Sequence, residues 1–259
     1  MKKLLIICAA AMAFSANAWE KAITNTLGYI VQNATDTGVQ SSIINGSHFP
    51  GGAPVAGNAY LVNSGYNSRS PAVNNADNTF KGDSLTLDEG ATLLLKGPGS
   101  KLTIADLRIY NAMISQGDGN CRKTLKGAIK VYGKPSAPSI FIGSGNNGVR
   151  HTHVESSISG ASGTGIKVMH STETDQTDAQ FYTHFAGNNS GYAGSIEVES
   201  AGNGVCLVGY NNNAFGSTPN ITLTNNGKIF GGGSGTVTLS GATITPWRFQ
   251  VVGQTPMSD

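Results

Sequence analysis

The chain has 259 residues, of which 39% are hydrophobic and 12% are charged. This hydrophobic content is enough for a buried core and argues against intrinsic disorder. With 35 glycines and no long run of Ala, Leu, Glu, Lys and Arg after the amino-terminal segment, the composition excludes a helix-rich domain and favours an all-β one.

The first element is the segment MKKLLIICAAAMAFSANAWE. Two lysines, an apolar run from Leu4 to Phe14 and small residues ending at Ala18 are typical of a secretory signal peptide. The run is shorter than the roughly 20 residues that span a bilayer. Residues 1–18 are therefore predicted to be removed, Cys8 with them, and the product to be secreted or held at the cell surface, at the outer membrane or outside the cell.

Loss of the leader changes the charge balance. Removing Lys2 and Lys3 from the 17 basic residues leaves 15, equal to the 15 acidic ones. A neutral chain lacks the basic excess that nucleic acid and anionic lipid surfaces require. No later apolar stretch has the length of a membrane helix. We expect no nucleic acid partner and no integral membrane segment after signal cleavage.

Residues 19–80 are rich in turn-forming sequence, such as GSHFPGGAPVAGN and NSGYNSRSPAVNNADN. This segment is predicted to form an irregular amino-terminal cap or the first coils of a longer repeat. Residues 81–259 are predicted to form the main domain, because short alternating runs such as SLTL, KLTI, GIKVMH and SIEVES follow one another there between turn residues.

Alternation in the opening strands assigns faces to their side chains. Four pairs are predicted to point inward: Leu85 and Leu87, Leu93 and Leu95, Leu102 and Ile104, and Leu107 and Ile109. Thr86, Thr103 and Arg108 are predicted to point outward. Because the pairs are unevenly spaced, a parallel β-helix, or β-solenoid, is favoured over a hairpin sandwich or barrel.

The stretch GDSLTLDEGATLLLK, followed by KLTI and later by ITLTNNGKIFGGGSGTVTLSGATIT, resembles the Gly- and Asn-rich passenger region of bacterial autotransporter-like surface proteins. The resemblance implies a right-handed parallel β-helix displayed outside the cell, used in adhesion or as a stalk. Host or environmental glycans and surface proteins are the partners it implies.

Autotransporters also carry a carboxyl-terminal membrane β-barrel, whereas this sequence ends in TPWRFQVVGQTPMSD. Three alternatives follow from that difference. The product is released, another protein exports or anchors it, or the reading frame is shortened.

One candidate metal set lies in RHTHVE, where alternation along a strand places His151, His153 and Glu155 on one face. Two imidazoles and a carboxylate are ligands that zinc and iron accept. Three ligands on one strand converge poorly without a fourth from elsewhere, so a polar outer face of a coil is favoured. No metal and no other cofactor are expected.

Two cysteines remain in the exported chain, Cys121 and Cys206. An oxidising compartment permits a disulfide between them. Their separation in sequence is equally compatible with two buried thiols.

Catalysis has few candidate residues. Five carboxylates lie near predicted corners: Asp83, Asp88, Glu89, Asp106 and Asp118. No two can be paired from sequence for acid–base work on a glycoside, and no nucleophile elbow, phosphate loop or metalloprotease motif is present. A structural and adhesive module without catalysis is favoured, and a carbohydrate-active β-helix enzyme or a glycan- or metal-binding module is the alternative.

Asn-rich loops offer a further surface. NNSGYAG and GYNNNAFG place Tyr192, Tyr210 and Phe215 beside amides, which suits carbohydrate contact if the rings are exposed. The same loops suit asparagine ladders and corners equally well. His184, in QFYTHF, is predicted to be a surface or aromatic-packed residue.

Overall fold

The structure is a computed structural model that describes residues 28–32, 42–44, 48–116, 122–143, 150–170, 181–199, 206–217, 220–224, 227–231 and 243–246. Within these residues the chain forms β-strands and no helix. In chain order the strands are β1 (Ile30–Val31), β2 (Ala59–Val62), β3 (Asn67–Arg69), β4 (Asp77–Thr79), β5 (Ser84–Leu87), β6 (Thr92–Leu95), β7 (Lys101–Ile109), β8 (Met113–Gln116), β9 (Lys123–Val131), β10 (Ser139–Gly143), β11 (Arg150–Val154), β12 (Ser157–Ser159), β13 (Gly165–His170), β14 (Phe181–Phe185), β15 (Ser195–Glu199), β16 (Cys206–Gly209), β17 (Asn220–Thr224), β18 (Lys228–Gly231) and β19 (Thr243–Pro246).

These strands belong to two sheets in which every pairing between strands is parallel. One sheet runs β1-β2-β5-β7-β9-β11-β14-β16-β18, with β4 beside β7 and β12 beside β9, and the other runs β19-β17-β15-β13-β10-β8-β6-β3. Neighbours in each sheet are successive passes of the chain, so the backbone climbs in one direction. The predicted all-β parallel β-solenoid is confirmed.

Each coil has three walls because β7 and β9 bend. The first half of β7 pairs with β4 and its second half with β5, although β4 and β5 are consecutive elements. We call the strands aligned with β4 and residues 101–104 the first wall, which continues through β9, β11, β14, β16 and β18. The strands aligned with β5 and residues 107–109 are the second wall, and the other sheet is the third wall.

The bend between the first and second walls contains a bulge. Register shifts between Ile104 and Leu107, so β7 has one more residue there than β9. Gly127 of β9 lies opposite Ile104 with φ of 105°, and a Cβ at this position would overlap the Ile104 carbonyl oxygen. Glycine is required at this corner because any side chain meets both backbone strain and a clash.

The interior stack is mostly apolar, although Lys123, Thr152 and Thr183 are also buried at neighbouring inward positions of the first wall. All eight residues predicted to point inward are buried, from Leu85 and Leu87 to Leu107 and Ile109. On the first wall the stack runs through neighbouring register positions, namely Leu102, Leu125, Val154 and Phe185. Thr86 is buried although it was predicted to point outward, because Tyr29 lies over it with the two hydroxyl oxygens 3.4 Å apart.

The described strands that precede residue 80 extend these same walls. β1 and β2 continue the second wall, β3 the third and β4 the first. At this end, Tyr60 packs edge-on between two phenylalanines, with ring centroids 4.8 Å from Phe49 and 5.4 Å from Phe80. Large aromatic rings therefore fill the interior at this end.

Beyond β12 the part of the second wall that the structure describes is built by turns instead of strands. Asn189 is buried, and its carboxamide accepts a 2.7 Å hydrogen bond from the Ile158 amide and donates one of 2.7 Å to the Ala214 carbonyl. Its side chain therefore replaces the ladder bonds of a missing strand. This supports the asparagine-ladder interpretation of the Asn-rich loops.

Candidate functional site

The first wall presents an outward column of side chains between its inward core positions. Thr124 of β9, His153 of β11 and His184 of β14 occupy neighbouring register positions. The residues that follow them, including Val154 and Phe185, are buried in the core. Because side chains alternate along a strand, the two histidines lie on the outer surface of the wall.

Three aromatic rings form a cluster on this surface. Ring centroids are 5.2 Å apart for His153 and His184, 5.3 Å for His184 and Tyr210, and 5.4 Å for His153 and Tyr210. The Tyr210 hydroxyl and His184 Nδ1 are 3.0 Å apart and share a hydrogen bond. His153 and His184 are 6% and 8% exposed whereas Tyr210 is 37% exposed, so the phenol ring is the outermost of the three.

Charged side chains lie at one edge of the aromatic cluster. Arg122 approaches His153 Nδ1 at 2.9 Å and donates to Glu155 at 3.1 Å. Lys126 lies 3.4 Å from the other carboxylate oxygen of Glu155. One carboxylate thus serves two cations, which leaves a positive excess on the surface.

Glu155 has a perturbed pKa. Partial burial raises it, but Lys126, His153 and Arg122 outweigh burial, and the net pKa lies below the ordinary value for a glutamate. The group is therefore ionised at neutral pH and fixes the orientation of the two cations. A group held in this way is poorly suited to act as a general acid.

The predicted metal candidates are partly brought together. His153 Nδ1 lies 3.3 Å from Glu155. His151 precedes them in β11, in register with Tyr182, and its side chain lies outside what the structure describes. Among the described residues there is no group of three or more His, Cys, Asp and Glu that could hold a metal ion. The positive charges of Arg122 and Lys126 beside Glu155 also repel a metal cation at this position.

The predicted disulfide stays a prediction. Cys121 lies outside the described residues, and Cys206 begins β16 on the first wall, in register with Tyr182 and Lys228. Thiol titration of the unfolded, unreduced protein tests the pairing directly.

Carboxylates elsewhere in the described chain serve local structure. Asp83 accepts a hydrogen bond from the Gly57 amide at 2.8 Å, and Asp88 accepts one from the Glu89 amide at 2.9 Å. Both bonds hold corners between walls. Asp118 lies outside the described residues.

Ion pairs cross neighbouring coils on the second and third walls. On the second wall, Asp106 lies 2.7 Å from Arg108 and 3.1 Å from Lys130. On the third wall, Lys167 lies between Glu197 and Glu199 and contacts both carboxylates. These carboxylates are each bound to a cation, so they stabilise the stacking of coils.

Two of the three aromatic residues in the Asn-rich loops are buried. Tyr192 is 1% exposed and Phe215 is 3% exposed. Both residues lie in the turns that complete the second wall, and their rings fill the interior in place of strand residues. Of the three rings, Tyr210 alone meets the condition of exposure on which carbohydrate contact depends.

Sequence reasoning missed Arg122 and Lys126 as members of this surface, and it did not associate His184 and Tyr210 with His153. The aromatic-packed interpretation of His184 is confirmed. The column of outward-facing positions on β9, β11 and β14 could have been found only if the length of each coil had been known.

No helix among the described residues is long and apolar enough to cross a membrane. Comparison with protein-family models, with curated proteins and with solved structures finds no match for this chain.

Proposed function

We propose that this protein is exported and acts outside the cell as a structural and adhesive β-solenoid, without catalysis of its own. The observation that carries the proposal is the outer surface of the first wall, where side chains from successive coils form one continuous patch on a rigid parallel sheet. A stacked wall of this kind presents an extended contact area, which suits adhesion better than an enclosed pocket does.

Two further features support the proposal. The amino-terminal sequence has the layout of a cleaved secretory leader, and the opening strands resemble autotransporter-like passengers. Asp106, Glu155, Glu197 and Glu199 are each bound to a cation, whereas glycoside hydrolysis needs two carboxyl groups facing one another across a substrate.

Export is tested by fractionating bacteria that express the full chain and sequencing the amino terminus of the product. We expect an extracytoplasmic product that begins at Trp19. The matched variant Ile6→Asp interrupts the apolar run of the leader and is expected to keep the full-length chain in the cytoplasm. A full-length cytoplasmic product from the unaltered sequence would contradict export.

Adhesion is tested by comparing attachment of cells with and without the gene to surfaces coated with host or environmental glycans and proteins. We expect attachment to rise with the gene. A parallel screen of the purified protein against polysaccharides, read out as new reducing ends or unsaturated products, tests the enzyme alternative. Sustained turnover in that screen would overturn the non-catalytic assignment.

A further inference from the structure

We propose that the outer surface of the first wall binds an acidic polysaccharide, one that carries carboxylate or sulfate groups. This inference rests on the proposed adhesive function and names its ligand class. The surface is defined by Lys101, Arg122, Lys126, His153, His184, Glu155 and Tyr210.

Charge complementarity supports an anionic ligand. The described outward groups of the first wall include Lys101, Arg122 and Lys126, against the carboxylates of Asp77, in register with Lys101, and Glu155. On the third wall, by contrast, two carboxylates surround Lys167. The described outer surface of the first wall is therefore net positive, as is the second wall around Asp106, whereas the third wall around Lys167 is net negative. An anionic ligand is favoured on the first wall over the third.

The cations remain accessible although they contact Glu155. The Arg122 side chain is 44% exposed and that of Lys126 is 35% exposed. A guanidinium has five donors, so Arg122 can hold Glu155 and still donate to a ligand carboxylate or sulfate. Glu155 sets the direction in which both cations point.

Tyr210 supplies the contact that favours a sugar over a simple anion. Its ring is exposed and rests on two buried imidazoles, which hold it in one orientation. A rigid ring with an apolar body and a polar edge suits the mixed apolar and hydroxylated surface of a sugar, at low cost in side-chain entropy.

The dimensions of the surface favour a polymer. It extends across five successive strands of the first wall, from Lys101 on β7 to Tyr210 just after β16. Four spacings between parallel strands amount to about 19 Å. Cations lie toward one end and the aromatic cluster toward the other, so one chain with repeated acidic groups reaches both.

Binding is tested with the purified mature protein and immobilised heparin, a sulfated probe, and polygalacturonate, a carboxylated probe. We expect binding of at least one probe that weakens as salt is raised, and no comparable binding of neutral dextran. Lys126→Ala is expected to weaken binding about fivefold and Arg122→Ala about tenfold, as the loss of a charge-assisted contact predicts.

Lys130→Ala is the matched control, because it removes a lysine that is 45% exposed, against 35% for Lys126, from the second wall. We expect its affinity to stay within about twofold of the unaltered protein, in line with a distant surface charge. Tyr210→Ala is expected to weaken binding about tenfold, and Tyr210→Phe less than Tyr210→Ala, because the ring is kept. Thermal unfolding of each variant identifies loss of fold.

Four results would overturn the inference: no binding of either acidic probe, equal binding of dextran, equal binding of polyadenylate RNA, or equal weakening by Lys126→Ala and Lys130→Ala. The proposed function fails separately. If cells adhere through the protein but the purified chain ignores both acidic probes, the adhesive role stands and this ligand class is wrong.

Discussion

The carboxamide oxygen of Asn189 lies 2.7 Å from the backbone nitrogen of Ile158, one coil away, and accepts its hydrogen bond. The same side chain donates to the Ala214 carbonyl of the coil on the other side. Three coils are thus joined by one buried amide, at the place where the described part of the second wall changes from strand β12 to turns. The joint satisfies backbone groups that would otherwise be buried without partners.

Asn189→Ala is expected to lower the free energy of unfolding by about 2–4 kcal/mol, because it leaves a buried donor and a buried acceptor unpaired. Urea unfolding followed by circular dichroism measures the loss. Asn188→Ala is the matched control, since Asn188 is exposed and bonds only locally to the Ser190 amide. Equal losses in the two variants would contradict the role of Asn189.

Gly127→Ala is expected to destabilise the fold by about 3 kcal/mol or more, because φ of 105° strains any other residue and the new methyl group meets the Ile104 carbonyl. Thermal unfolding is the measurement. In Gly163→Ala, the control, a Cβ would have no neighbour within 4 Å, and little change is expected. A stable Gly127→Ala protein would show that the bend does not need this backbone conformation.

Asp106 lies in the bend of β7 and forms ion pairs with Arg108 and Lys130. Burial raises the pKa of Asp106, but hydrogen bonds from Arg108 and Lys130 outweigh it and the net pKa lies below the ordinary 3.8. Because the folded state binds the proton more weakly than the unfolded state, the stabilisation is complete above the ordinary pKa. It is lost as pH falls below that value.

Asp106→Asn is therefore expected to cost about 1 kcal/mol at pH 7 and progressively less as the pH falls below about 4. Urea midpoints measured at pH 7, 5 and 3 give the profile. Glu89→Gln removes an exposed carboxylate from a corner and is the control. A cost for Asp106→Asn that is the same at every pH would contradict the electrostatic explanation.

The buried phenol of Tyr192 is expected to make the fold less stable at alkaline pH, whereas the carboxylate of Asp106 makes it less stable at acidic pH. Burial raises the pKa of its phenol, and the hydroxyl donates to the Ser195 carbonyl at 2.7 Å. Because the unfolded state releases this proton first, stability falls as pH rises above the ordinary value of 10.0. Tyr192→Phe is expected to lose about 1 kcal/mol near neutrality and to show a shallower alkaline decline. Identical alkaline slopes would contradict this assignment.

Alternation of residue types was sufficient to predict the interior. Leu93 and Leu95 are buried as predicted, because a leucine at every second position can face only one side of a strand. The bend was not predictable in the same way. The inward pairs Leu102/Ile104 and Leu107/Ile109 lie on the single strand β7, and the bulge between Ile104 and Leu107 leaves no signature in residue type.

The candidate surface depends on register, which the sequence does not reveal. Alternation placed His153 and Glu155 on one face, and the structure has them there in contact. His184 and Tyr210 join them only because of the lengths of the intervening coils. Those lengths vary, since Thr92 pairs with Met113 after 21 residues and Gly165 pairs with Ser195 after 30. No constant repeat could have supplied the match.

Alternate positions of the five-residue strand β11 face the core and the outer surface of the first wall. Thr152 and Val154 are buried in the interior, whereas His153 belongs to the outer surface. A library randomised only at outward positions of the first wall would therefore keep the apolar stack intact. Such a library offers a route to selecting new binding specificities on this scaffold without redesigning its core.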